Sequence, residues 1–294
     1  MPDQEFCWLC QRLLAWREME NSRRQRVRPS RPRLSPRDLG LHSGEKYTNA
    51  ADSPRIAVIY NGLRGRGQWL PFRKGDPEGN RWVDNEPLLI EWSPANVAWF
   101  LDSSGRRESG MPVVRNAQLY LTPGVTWTAV ANHVAMKARY QDACVFDADS
   151  MRLTPDERVL RPLALLALFN SDLVSFMKMR FARNTAKWEI GDLRALPLAM
   201  PTPAQEERLT TLAGRAIEAK RLTFTDEQQS HELAAYSREL AAELTAHAPG
   251  YLKPHPQRPL LDTAHACLKV IELVVNWEAE KLYGVEGLGP FDEF

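Results

Sequence analysis

Cations and flat aromatic side chains alternate along the stretch RGRGQWLPFRKGDPEGNRW, which carries Arg64, Arg66, Trp69, Phe72, Arg73, Lys74, Arg81 and Trp82. Guanidinium and ammonium groups neutralise phosphates, and planar rings stack on or wedge between bases, so a glycine-loosened loop of this make-up suits a nucleic acid. A surface loop whose tryptophans anchor it to a sheet accounts for the same residues, and both readings stay open on this stretch alone.

Other chemistry is thinly supported. Cys7 and Cys10 have the spacing of half a zinc site, but Cys144 and Cys267 stand alone and a structural zinc wants four ligands. The six histidines are scattered, none in an H-E-x-x-H or G-x-S-x-G setting. GLRGRG, from Gly62 to Gly67, lacks the Lys-Ser/Thr ending of a phosphate-binding loop and opens no obvious helix. Glu218 and Lys220 have nuclease-like spacing, but on a helical pattern without a strand-borne acidic partner. No metal centre and no catalytic triad is assigned.

The net charge of +1 hides an uneven layout. Seven arginines, Arg23, Arg24, Arg26, Arg28, Arg31, Arg33 and Arg37, make the N-terminal stretch basic, whereas Glu206 to Glu243 leans acidic. A locally basic surface can therefore sit inside a near-neutral total. The longest apolar run, PLALLALF, falls well short of the ~20 residues that cross a bilayer, and no charged-then-apolar leader opens the chain. Four cysteines in 294 residues do not suggest a disulfide framework, so a cytoplasmic protein with no membrane partner is expected.

The elements that must position these residues follow from periodicity. Residues 1–50 read as a basic, largely disordered arm with one possible short helix over FCWLCQRLLAWREM, because an Arg-Pro-Ser mixture buries too little to offset ordering entropy. Residues 51–200 read as a β-rich domain with embedded helices: RIAVIY, EPLLIEW, AQLYL, GVTWTAVA and ACVFDA are short β-branched or apolar runs. Val159 to Phe181 reads as helix, bent or split at Asn170 and Ser171, whose side chains compete for the backbone. Residues 201–294 read as an antiparallel helical hairpin followed by a C-terminal helix over Thr263–Tyr283, the whole chain being α+β. Thr202-Pro203-Ala204-Gln205 is a capping-box start, and Gly284 a helix stop.

Four blocks then carry a resemblance. QWLPFRKGDPEGNRWVDNEPLLIEW, LYLTPGVTWT, LLALFNSDLVSFM and NTAKWEIGDLRALPLAMPTPAQEERLTTLAGRAIEAKR, in that order, resemble the C-terminal target-recognition region of single-chain adenine-specific DNA methyltransferases. These include type IIG restriction-modification and BREX phage-defence enzymes. The last block is also similar to the end of recognition domains in type I restriction specificity subunits. The resemblance runs from about Gln68 to Arg221. Such methyltransferases also carry a Gly-rich S-adenosylmethionine loop and an Asn/Asp-Pro-Pro-aromatic tetrad; this chain has no Pro-Pro dipeptide, so nothing holds an extruded adenine.

The resemblance implies a sequence-specific double-stranded DNA-binding module whose catalytic half lies elsewhere, S-adenosylmethionine included. The expected DNA-binding residues are Arg64, Arg66, Trp69, Arg73, Lys74, Arg81, Trp82, Arg183, Asn184 and Lys187, with Asn184 to Trp188 on the DNA-facing side. Leu193 to Met200 is expected to close the sheet, and the hairpin from Thr202 to dock a methyltransferase or restriction subunit. An adenine methyltransferase with its active site missing from this chain, and a non-catalytic interaction scaffold, remain the alternatives.

Overall fold

The computed structural model describes residues 69–76, 79–84, 88–93, 96, 99–100, 103, 119–182, 185–225, 231–252 and 263–286. The expected strand RIAVIY, the short N-terminal helix and the basic arm lie outside these residues, as do Arg64, Arg66, Arg183 and Asn184.

Among the described residues six short strands make two three-stranded sheets. In the first, β1 (Trp69–Arg73) is central, antiparallel to β2 (Leu88–Glu91) and parallel to β5 (Val145–Phe146). WLPFR, which the glycines around it and its own proline make look like loop, is thus a mid-sheet strand. Pro71 is accommodated on an exposed position of a sheet whose pairing is only a few residues long. In the second sheet, β3 (Gly124–Thr128) lies between β4 (Arg139–Gln141) and β6 (Ser150–Leu153), antiparallel to both.

All five residues of β3 are buried, because both faces of this sheet are covered. Alternate side chains serve different layers. Val125, Trp127, Tyr140, Met151 and Leu153 join the apolar core against the helices. Thr126, Thr128, Arg139, Gln141, Ser150 and Arg152 form a buried polar set on the alternate positions.

The helical part begins with α1 (Pro162–Phe169) and α2 (Asp172–Phe181), which meet at 65° across Asn170 and Ser171. Ser171 caps α2 by accepting a hydrogen bond from the Val174 amide. Asn170 instead turns inward, where its side-chain amide accepts from Ala138 N at 2.8 Å and donates to Ala138 O at 3.0 Å. The break in the helix is therefore what satisfies a buried backbone beside β4.

α3 (Ile190–Ala195) starts on a reciprocal cap between Glu189 and Asp192. The strand expected over Leu193–Met200 is not formed: Leu193 to Ala195 belong to α3, and 196–200 is irregular. The cap wins locally over the apolar-proline pattern, and Tyr283 Oη donates to Pro197 O at 2.8 Å, holding the following chain away from either sheet.

α4 (Pro203–Leu222) opens on the Thr202–Gln205 capping box. It is followed by α5 (His231–His247) and, after a 3-10 turn at Pro249–Leu252, by α6 (Ala264–Tyr283), which stops at Gly284 with φ 63°. Arg208 reaches Glu243 at 2.5 Å, and Arg215 lies over the Tyr236 ring at 5.5 Å, so α4 and α5 run antiparallel. α6 packs on both. A single apolar core joins Trp127 and Leu166 to Leu212, Leu240 and Val274. The fold is α+β, helix making about 51% and strand about 15% of the described residues, with all the described strands inside the 51–200 part. Among the described residues no single helix is long and apolar enough to cross a membrane.

Candidate nucleic-acid interface

Three of the sequence blocks meet at the loop that follows β3. The turn after β1 docks through Thr128, whose Oγ1 accepts from Asp76 N at 2.7 Å and donates to Asp76 O at 2.8 Å. The turn before α3 docks one residue further on. Trp188 N donates to Ala129 O at 2.9 Å, Val130 pairs with Lys187 in an isolated antiparallel bridge, and Trp127 Nε1 donates to Trp188 O at 3.0 Å. Trp188 Nε1 in turn donates to Val134 O at 2.9 Å. Lys74, on the first turn, and Lys187, on the second, are both exposed. Lys187 Nζ also contacts Glu189 at 2.5 Å.

The first turn owes its shape to Asp76. Its carboxylate accepts from Gly79 N at 3.0 Å, Asn80 N at 2.8 Å and Asn80 Nδ2 at 2.8 Å. Gly79 has φ 74°, and a Cβ there would lie 2.0 Å from His133 Nε2, so the turn needs glycine for both conformation and space. Burial works against ionising Asp76, but the Asn80 and Gly79 donors and the Arg139 guanidinium outweigh it and hold the carboxyl below its ordinary value. His133 Nδ1 lies 2.8 Å from Ala135 O, and burial pushes its pKa down, which favours a neutral ring.

Arg139 anchors this edge from below. Its side chain is wholly buried, with Nε 2.8 Å from Asp84 Oδ1, Nη1 3.1 Å from Asp76 Oδ2 and Nη2 donating to Thr128 Oγ1 at 3.3 Å. Gln141 Nε2 donates to Asp84 Oδ2 at 3.3 Å, and Arg73 Nε approaches the same oxygen at 3.7 Å. Burial pushes the Asp84 carboxyl above its usual value, against the pull of Arg139, Gln141 and Arg73.

The predicted residues divide sharply. Trp69 is 58% exposed on the outer side of the first sheet, and Lys74 and Lys187 stand in solvent, so these three are accessible. Arg73 is half-buried toward Asp84. Trp82 is a correction: it is completely buried, with φ 76°, and its Nε1 donates to Glu272 Oε1 of α6 at 2.9 Å, so it has no face to offer a base. Arg81 lies 3.5 Å from Asp172 and 3.9 Å from Glu272, tying the segment after β1 to α2 and α6. A cation beside an aromatic has the same sequence appearance whether it faces solvent or bridges two elements.

Sequence reasoning passed over Arg139, Asp76, Asp84 and Lys178. Lys178 is fully buried, donates to Thr185 O and lies 4.8 Å over the Trp188 ring, supporting the turn that carries Lys187. The signal available for Asp76 was the D-P-E-G turn itself; for Arg139, alternation in a three-residue strand gave none. Among the described residues no group of three or more His, Cys, Asp or Glu side chains could hold a metal ion.

No protein-family model matches the chain, and no curated protein matches it.

Proposed function

We propose that the chain is a double-stranded DNA target-recognition module, of the kind used by adenine-specific methyltransferases in restriction-modification or phage defence, acting in the cytoplasm. The observation that carries this reading is the meeting of the Lys74 turn, the loop after β3 and the Lys187 turn at one edge, with Trp69 exposed on the adjoining strand. Two cations on short, pinned turns can straddle phosphates, and an exposed indole beside them can pack against a sugar or base. Catalysis and S-adenosylmethionine binding belong in this reading to a methyltransferase or restriction part, which the outer surface of α4 and α5 would dock.

Fluorescence anisotropy of a labelled duplex over a range of salt tests the reading. Affinity is expected to fall steeply with salt, and Lys74→Ala and Lys187→Ala each to lower the slope by about one, the loss of one phosphate contact. Absence of binding at low salt, or slopes unchanged in both variants, would overturn it.

A further inference from the structure

The polar layer holds a second buried arginine with a different fate from Arg139. Arg152 is 7% exposed. Its Nη1 donates to Gln141 Oε1 at 3.3 Å and lies 3.6 Å from Cys144 Sγ, Nη2 donates to Thr122 O, and the guanidinium lies 4.9 Å over the Phe146 ring. Among the described residues no carboxylate pairs with it, and its Nε is buried without a hydrogen-bond partner. A desolvated cation lacking a counter-anion is costly, so this corner is electrostatically incomplete.

Arg152 also lines a cavity of about 560 Å³ between the 153–160 loop, α2, α3 and the irregular 196–200 segment. That volume lies in the range of small-molecule sites. Most of the cavity wall is apolar, Phe169, Val174, Met177, Leu193 and Leu198 included, while Asp156, paired with Arg158, and Arg194 are the other charged residues that line it. Leu153 and Thr154 line it too, and they share a corner with Arg152: a Cβ placed on Gly124 would lie 2.9 Å from Arg152 Nε, 3.0 Å from Leu153 O and 3.1 Å from Thr154 Oγ1. An apolar chamber therefore adjoins a buried guanidinium that lacks an anion.

We propose that this cavity binds a small amphipathic carboxylate, with its hydrocarbon part between α2 and α3 and its carboxylate at the Arg152 corner. The inference is independent of the nucleic-acid reading. Charge selects the ligand: an alcohol of equal length gains the apolar burial but not the charge-assisted hydrogen bond, whereas an acid gains both.

Isothermal titration with sodium octanoate and with octan-1-ol tests this on the full chain. Octanoate is expected to bind saturably, about tenfold or more tighter than octanol. Arg152→Gln should erase that preference. Because Arg152 is part of a buried layer and its variant can unfold, Leu193→Trp, which fills the apolar chamber without touching the guanidinium, provides a second arm. With its circular dichroism unchanged, Leu193→Trp should abolish octanoate binding. No saturable binding of octanoate, equal binding of the alcohol (the behaviour of an apolar groove for another protein's side chains), or undiminished binding in folded Leu193→Trp would overturn the proposal.

Discussion

Arg139 Nε lies 2.8 Å from Asp84 Oδ1 while the same guanidinium reaches Asp76 Oδ2 at 3.1 Å, so one buried arginine holds two points of the connection between β1 and β2. Asp76 shapes the turn beyond Lys74, and Asp84 follows Trp82 and Val83. Position and stability of the candidate interface thus depend on a side chain that DNA would never touch.

Removing that cation leaves two carboxylates facing each other in a low-dielectric layer. Arg139→Met is expected to destabilise the fold by about 3–5 kcal/mol, the usual cost of breaking a buried ion pair from one side. Adding Asp84→Asn should return part of the loss. Urea unfolding of both variants measures this; a loss below about 1 kcal/mol for Arg139→Met would show the pair to be dispensable.

Acid should loosen the same turn. The folded-state pKa of Asp76 is depressed, so its contribution is present above the ordinary carboxylate value of 3.8 and is lost as the pH falls through the lower folded value. Asp84 acts with the opposite sign, since its folded pKa is raised and its ionised form opposes folding. Asp76→Asn should therefore flatten the acid limb of the stability curve, seen as a smaller drop in Tm between neutral pH and about pH 3.

Gly79→Ala should cost about 1–3 kcal/mol, because an L-residue is strained at φ 74° and its Cβ collides with the His133 ring. Combining it with His133→Ala removes the collision with the ring and leaves the backbone strain, the Lys137 chain, whose Cδ lies 2.7 Å from that Cβ, being long enough to swing aside. The double variant should thus recover some but not all of the thermal stability, and full recovery would show that the positive φ carries no cost.

The two tryptophans of the first block should part company. Trp82→Ala removes a fully buried indole bonded to Glu272 and should destabilise by about 3–5 kcal/mol. Trp69→Ala should leave Tm nearly unchanged while weakening duplex binding without altering its salt slope, since an indole neutralises no phosphate. Anisotropy and thermal melts on the same two proteins separate these roles; a folded, DNA-competent Trp82→Ala would contradict the assignment.

Local rules were written plainly in the chain. The Thr202–Gln205 box and the Gly284 stop mark helix ends, because capping is decided within one turn of backbone. The break at Asn170-Ser171 was equally legible, since short polar side chains compete with the helical ladder. The mixture of cations and aromatics along 64–82 was legible as a composition, and the separation of its members was not.

Which of those side chains face solvent depends on pairings between residues far apart in sequence. Trp82 is buried because α6 brings Glu272 to its indole, and Arg81 is occupied because α2 and α6 bring Asp172 and Glu272. Arg139 and Arg152 look alike in sequence, each within a short strand and each on an alternate buried position. Only packing decides that the first receives two carboxylates and the second, among the described residues, none. Sequence by itself thus determined the helix boundaries and the kinds of side chain available, because those rest on interactions within a few residues. Tertiary structure alone decided burial, counter-ion and exposure, because desolvation and ion pairing depend on what the rest of the chain brings within a few ångströms.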